Sequence, residues 1–147
     1  MASGRNRYIG MGDLAARRAW LERQRPLYDY LVDQARHGLA EEQRQFGRIL
    51  QALVDCAQLL AGDGHPFTNR VAPALVGRGL VDRRAALEEL RPHLRPIHEA
   101  LLKCFPFRAE YNALSLVPTT VCQVSEDLVG RGHPFEPAPP HSIGQRG

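Results

Sequence analysis

Six histidines and three cysteines are the side chains from which a metal site could be built. His93 and His98 stand five apart across Pro96, and Cys104 follows six residues later. Two ligands on one helical face need an i, i+4 spacing, and neither a CxxC nor an HExxH motif occurs. The histidines therefore read as surface and loop residues, and no metal or other cofactor is expected. Nucleophilic catalysis has no better footing, because there is no GxSxG elbow and no glycine-rich loop behind a strand. Cys56 falls on the apolar side of a long helical pattern and reads as core. Glu41-Glu42 and Glu88-Glu89 read as helix-dipole partners or solvated faces. No catalytic residue is assigned, and the chain reads as a non-enzyme.

Arginine is the remaining chemistry. Of nineteen cationic residues, eighteen are Arg and one, Lys103, is Lys. The planar guanidinium grips phosphate bidentately where an ammonium does not, although a GC-rich genome explains the ratio equally well. Placement is more telling. Residues 1–25 hold Arg5, Arg7, Arg17, Arg18, Arg23 and Arg25 against Asp13 and Glu22, which leaves +4 there and −1 over the other 122 residues. A backbone-tracking nucleic-acid surface would use these six arginines together with Arg36, with Trp20 and Tyr28 anchoring the helix to a partner.

The elements that must position these groups are helices. No stretch alternates apolar and polar residues in the manner of a strand. Residues 1–12 contain three glycines and read as an extended basic arm. Asp13 can cap a helix to about Gln24, and Pro26 suits the first turn of a second helix reaching His37, with Gly38 as its stop. The clearest helix spans Ala40 to Ala61, where Phe46, Ile49, Leu50, Leu53, Val54, Ala57 and Leu60 make a wide apolar stripe. Beyond Gly62 short helices are expected at Thr68–Val76, Arg83–Leu90, Pro96–Phe105, Ala109–Leu116 and from Pro118 to Gly130, with Pro92 and Pro96 marking a bend. The fold class is all-α: a helical bundle over residues 13–130, the arm before it, and an irregular Pro/Gly-rich tail over 131–147.

Length fits one domain, since a chain of 147 residues buries roughly 68–70% of its unfolded surface. No apolar run reaches the ~18 residues of a membrane span, and an odd, sparse set of cysteines does not suggest a secreted disulfide scaffold. The chain is expected inside a cell, or to assemble there. One motif recurs: Gly62-Asp63-Gly64-His65-Pro66-Phe67 matches Gly130-Arg131-Gly132-His133-Pro134-Phe135, 68 residues on. A helix-exit clamp accounts for it, with Gly stopping the helix, Pro extending the His before it and Phe tucking back. A duplicated unit and a ligand site are the alternatives, and His65 could meet His133 if the two copies pack together. Around the Gly77-Arg78-Gly79-Leu80 turn, Arg78, Arg83 and Arg84 could also mark the recognition end of a helix-turn-helix.

The Met1, Ala2, Ser3, Gly4, Arg5 start, the basic glycine-containing arm, the Arg17-Arg18-Ala19-Trp20 helix and the Gly77-Arg78-Gly79-Leu80 turn before Arg84-Ala85-Ala86-Leu87 resemble the major capsid proteins of filamentous and rod-shaped archaeal viruses. The resemblance implies an all-helical subunit that pairs with itself or a similar chain and coats double-stranded DNA in a filament. It further implies that Arg5, Arg7, Arg17, Arg18, Arg23 and Arg25 touch phosphates, that the tail from Pro134 lies on neighbouring subunits, and that the protein resides in a virion. A cytoplasmic helix-turn-helix regulator and a helical adaptor or inhibitor of another protein are the competing expectations.

Overall fold

Asp13 starts the first helix as its position suggests, its carboxylate accepting the Ala16 N–H at 2.9 Å. The computed structural model describes residues 8–67 and 82–136, and these form five α-helices with no strand among them. They are α1 (Leu14–Glu22), α2 (Arg25–Gln34), α3 (Ala40–Ala61), α4 (Arg83–Leu102) and α5 (Ala109–Val129). The expected Thr68–Val76 helix, the Gly77-Arg78-Gly79 turn, Arg5, Arg7 and the tail beyond residue 136 lie outside the described residues. The all-α class holds, and none of these helices is long and apolar enough to cross a membrane.

Two expected breaks are not breaks. Pro92 and Pro96 lie inside a continuous α4, and Pro118 inside a continuous α5. A helical proline costs roughly 3 kcal/mol. Against that, α4 buries Leu87, Leu90, Leu94 and Ile97 in one stripe, each contributing roughly 1.5–3 kcal/mol. The carbonyls freed by Pro92 and Pro96 belong to Glu88 and Pro92, both exposed, so water satisfies them. Helix α2 ends at Gln34 rather than His37, and Gly38 carries the chain into α3 at φ +77°.

The hexapeptide proves to be one end of a longer repeat. Arg17-Arg18-Ala19-Trp20-Leu21-Glu22-Arg23-Gln24-Arg25-Pro26 matches Arg83 through Pro92 at seven of ten positions, at an offset of 66 rather than 68. The structure repeats with it. Arg25 pairs with Glu22 as Arg91 pairs with Glu88. Both helices α3 and α5 stop at a left-handed glycine, Gly62 at φ +67° and Gly130 at φ +86°. Phe67 N–H donates to His65 Nδ1 at 3.0 Å, and Phe135 N–H to His133 Nδ1 at 3.1 Å. Arg25 donates to the Pro66 carbonyl and lies 5.3 Å over Phe67; Arg91 donates to the Pro134 carbonyl and lies 5.0 Å over Phe135. The clamp and the duplication are thus both present, one inside the other.

The halves hold each other reciprocally. Arg17 of the first half bonds Glu110 of the second at 2.6 Å, while its other amine reaches the Leu60 carbonyl at the end of α3. Arg83 of the second half bonds Glu42 of the first, Nε to Oε2 at 2.6 Å, and reaches the Leu128 carbonyl at the end of α5. Glu42 and Glu110, like Leu60 and Leu128, stand 68 apart. Such exchange of equivalent contacts is the signature of a twofold interface, realised here within one chain. Each arginine joins the start of one long helix to the end of the other, so α3 and α5 run antiparallel. Their closing motifs, with His65 and His133, therefore sit at opposite ends of helices some 30 Å long and do not meet.

Burial raises the Glu42 carboxyl, but the Leu39 N–H and the Arg83 guanidinium outweigh it and hold it below the usual carboxylate range. A carboxylate so lowered stabilises the fold above its unfolded value near 4.5, and that stability is lost as pH falls through the folded value. Arg83→Ala leaves a carboxylate only 4% exposed without its partner, whereas Arg17→Ala leaves the more open Glu110. The expected losses in urea denaturation are about 2–3 kcal/mol for Arg83→Ala and about 1 kcal/mol for Arg17→Ala. Arg83→Ala should also flatten the decline in stability below pH 5, and a reversed order of the two losses would break the assignment. Ser125 offers a second check, because its hydroxyl is buried without a partner among the described residues where the first half has Ala57. Ser125→Ala should raise stability by about 1 kcal/mol in the same measurement.

Candidate functional site

The seven arginines expected on one phosphate-binding surface divide into groups with different work. Arg17 and Arg25 hold the fold through the bonds just described. Arg18 is exposed and lies against Gly64, where a Cβ would come within 2.3 Å of its guanidinium. Its counterpart Arg84 donates to the Gly132 carbonyl at 2.9 Å. Arg23 is exposed and lines a cavity of about 420 Å³ with Lys103, Trp20 and Glu99. Arg36 is exposed at the α2–α3 turn, at the opposite end of α3 from Arg17. Arg5 and Arg7 lie outside the described residues. Among the described residues, Arg23 shares its cavity with a second cation, Lys103. Trp20 and Tyr28, expected to meet a partner, pack on this chain's own core, with Tyr28 stacked on Phe67 at 4.8 Å.

The end of the arm is anchored. Gly10 N–H donates to the Lys103 carbonyl at 2.7 Å, and the Met11 N–H meets the Glu110 carboxylate at 3.2 Å. Tyr8 packs edge-on against Phe105 with centroids 5.1 Å apart. Residues 8–12 thereby strap the α4–α5 turn, and Glu110 serves the strap and the Arg17 clasp together. That turn carries an unusual surface. Leu102, Phe105 and Phe107 are all exposed, Phe107 to 80%. Arg108 lies 5.4 Å over Phe105, and Phe107 leans on Tyr111 at 5.6 Å.

Phe107 also holds a left-handed backbone at φ +64°, unlike any other non-glycine described residue. A side chain in that conformation costs roughly 1–2 kcal/mol. In the first half the residue two before the helix is Gly38 at φ +77°, which adopts the conformation freely. The second half is two residues longer between its Arg-Pro pair and its clasp glutamate, and the difference falls in the stretch that carries this turn. Sequence reasoning missed Glu42 and Glu110 as a pair, and missed Tyr8, Phe105 and Phe107. The usable signal was the Arg17–Pro26 block recurring at Arg83, hidden from a search at the hexapeptide's own spacing.

Two thiols and one three-residue cluster bear on catalysis and metals. Burial pushes the Cys56 thiol up to about 12 and raises Cys104 as well, so both stay protonated at neutral pH. Glu126, His133 and Glu136 bring potential ligand atoms within 4.8 Å of one another. His133 Nδ1 accepts the Phe135 N–H, which leaves the proton on Nε2, and Nε2 faces Glu126 at 3.8 Å. A cation on Nε2 would have to displace that proton and the Phe135 bond with it, while Glu136 is already engaged with the Gly132 N–H. His133 reads as part of the clamp, as His65 does in the other half. Comparison with protein-family models, with characterised proteins and with solved structures finds no match. Zinc should leave the melting temperature unchanged in a thermal shift experiment, and His133→Ala should lower it; stabilisation by zinc that His133→Ala abolishes would restore the metal reading.

Proposed function

We propose that this chain is a non-enzymatic structural protein that binds nucleic acid through backbone phosphates and works as an assembled coat. The observation that supports it is the cationic N-terminal segment on a near-neutral body, with its end strapped beside Lys103 and Arg108. By sequence Arg5 and Arg7 directly precede Tyr8, the first residue of the strap. Two of the six early arginines are used inside the fold, which leaves Arg5, Arg7, Arg18 and Arg23 as the proposed phosphate contacts. In its more specific form, the reading is a capsid subunit that pairs with itself or a similar chain and wraps double-stranded DNA into a filament, as the resemblance to archaeal filamentous-virus capsid proteins implies.

The helix-turn-helix alternative needs Arg83 and Arg84 free at the start of a recognition helix. Both hold intramolecular bonds, to Glu42 and Leu128 and to Gly132, so the phosphate reading is preferred.

The strap also defines the test, since a deletion reaching residue 12 would remove Glu110's bond to Met11. Removing residues 2–7 takes away Arg5 and Arg7 and leaves the strap whole. Binding to random duplex DNA should weaken, and the slope of log affinity against log salt should fall by roughly 1.8, at about 0.9 per phosphate contact. Equal affinity and equal slope for the two chains would overturn the reading.

A further inference from the structure

We propose that the turn bearing Phe105, Phe107 and Arg108, with Tyr8 beside it, stacks the unpaired bases of a single-stranded nucleic acid. The inference rests on the nucleic-acid reading above and adds a base-contacting mode to the phosphate contacts of the arm.

The duplication supplies an internal control. Both halves make the same clasp and the same helix-exit clamp, and the strap of residues 8–12 accounts for Phe105, whereas Phe107 leans on Tyr111. In the first half the turn of residues 35–39 contains no Phe, Tyr or Trp and uses Gly38 where the backbone is left-handed. The second half places a phenylalanine in that conformation and exposes 80% of it. Neither burial nor backbone preference accounts for Phe107. A strained, solvated aromatic two residues before the helix, where the sibling half places a glycine, points to a ligand.

Charge selects the partner. Lys103 and Arg108 are exposed at the turn, and Arg5 and Arg7 precede Tyr8 in sequence. Of the nearby carboxylates, Glu110 is committed to Arg17 and the Met11 N–H, and Glu99 shares its cavity with two cations, Arg23 and Lys103. The surface is therefore aromatic and net positive. A second copy laid on it through the same face would oppose Lys103 and Arg108 to their own equivalents, a like-charge contact that disfavours pairing. A single strand meets both features, because every base offers a π-face to a ring and every linkage an anion to a guanidinium. Stacking of this kind tolerates any base sequence, and paired bases inside a duplex do not offer it.

Phe107→Gly tests the site without endangering the fold, because glycine suits φ +64° and the melting temperature should rise or hold. In fluorescence anisotropy, the full chain should bind a short oligo(dT), and Phe107→Gly should weaken that binding on the order of tenfold. Its binding to duplex DNA of equal length and to inorganic polyphosphate should not change. Unaltered oligo(dT) binding by the variant overturns the inference, as does an equal loss on polyphosphate, which would make the turn a purely electrostatic contact. Light scattering without nucleic acid is the last arm: a wild-type dimer that Phe107→Gly converts to monomer would assign the face to a second copy and overturn it. Duplex binding with no oligo(dT) binding defeats this inference alone, whereas binding to neither defeats the phosphate reading too.

Discussion

A carboxylate buried at the start of α3 constrains the whole arrangement. Glu42 is nearly inaccessible, and a charged group in that position has to find donors or lose its charge. One donor is local, the Leu39 N–H at the helix start, and the other is Arg83 from the first turn of α4. The same guanidinium fills an orphan carbonyl at the end of α5. Three helix ends are thereby brought to one point, and the antiparallel pairing of α3 with α5 follows. The reciprocal set at Arg17 does the same at the other end of the bundle.

The two clasps differ in a way that ties the fold to the arm. Glu42 takes its backbone donor from its own helix cap, whereas Glu110 takes it from Met11, 99 residues away. The strap thus stands where a cap would stand in the other half. Anything that loosens Glu110 weakens the anchorage of residues 8–12 at Met11 together with the Arg17 clasp. Helix α1 and α2 together correspond to α4, yet the first half is interrupted after Glu22 and the second continues to Leu102. Gln24 is buried at that interruption and donates to the Trp20 carbonyl, where the second half has Leu90 and unbroken helix.

Four helix starts and stops were legible in the sequence because each rests on one residue's own chemistry. Asp13 and Asp82 cap, Gly62 and Gly130 terminate, and the stripe from Phe46 to Leu60 faces the core as its spacing demands. Pro92, Pro96 and Pro118 misled, since proline's local penalty is fixed while the burial that offsets it depends on a tertiary partner. The clasps were not legible for a related reason: Arg17 and Glu110 look like members of two separate charge populations until the helices between them are placed. The repeat was half visible. A two-residue difference between the halves splits it into blocks at offsets of 66 and 68, and only the second block had been read.

The same pairing changes what the basic N-terminus means. A net charge counted over the first 25 residues treats Arg17 as available to a polyanion, yet the acid that neutralises it lies at position 110. Charge in sequence is therefore not charge in space. The converse holds at the α4–α5 turn, where Lys103 and Arg108 belong to the nearly neutral remainder but stand beside the strap that continues the arm. Among the described residues, cations from both halves meet here, Arg23 from the first and Lys103 from the second, beside a turn where the halves differ in length.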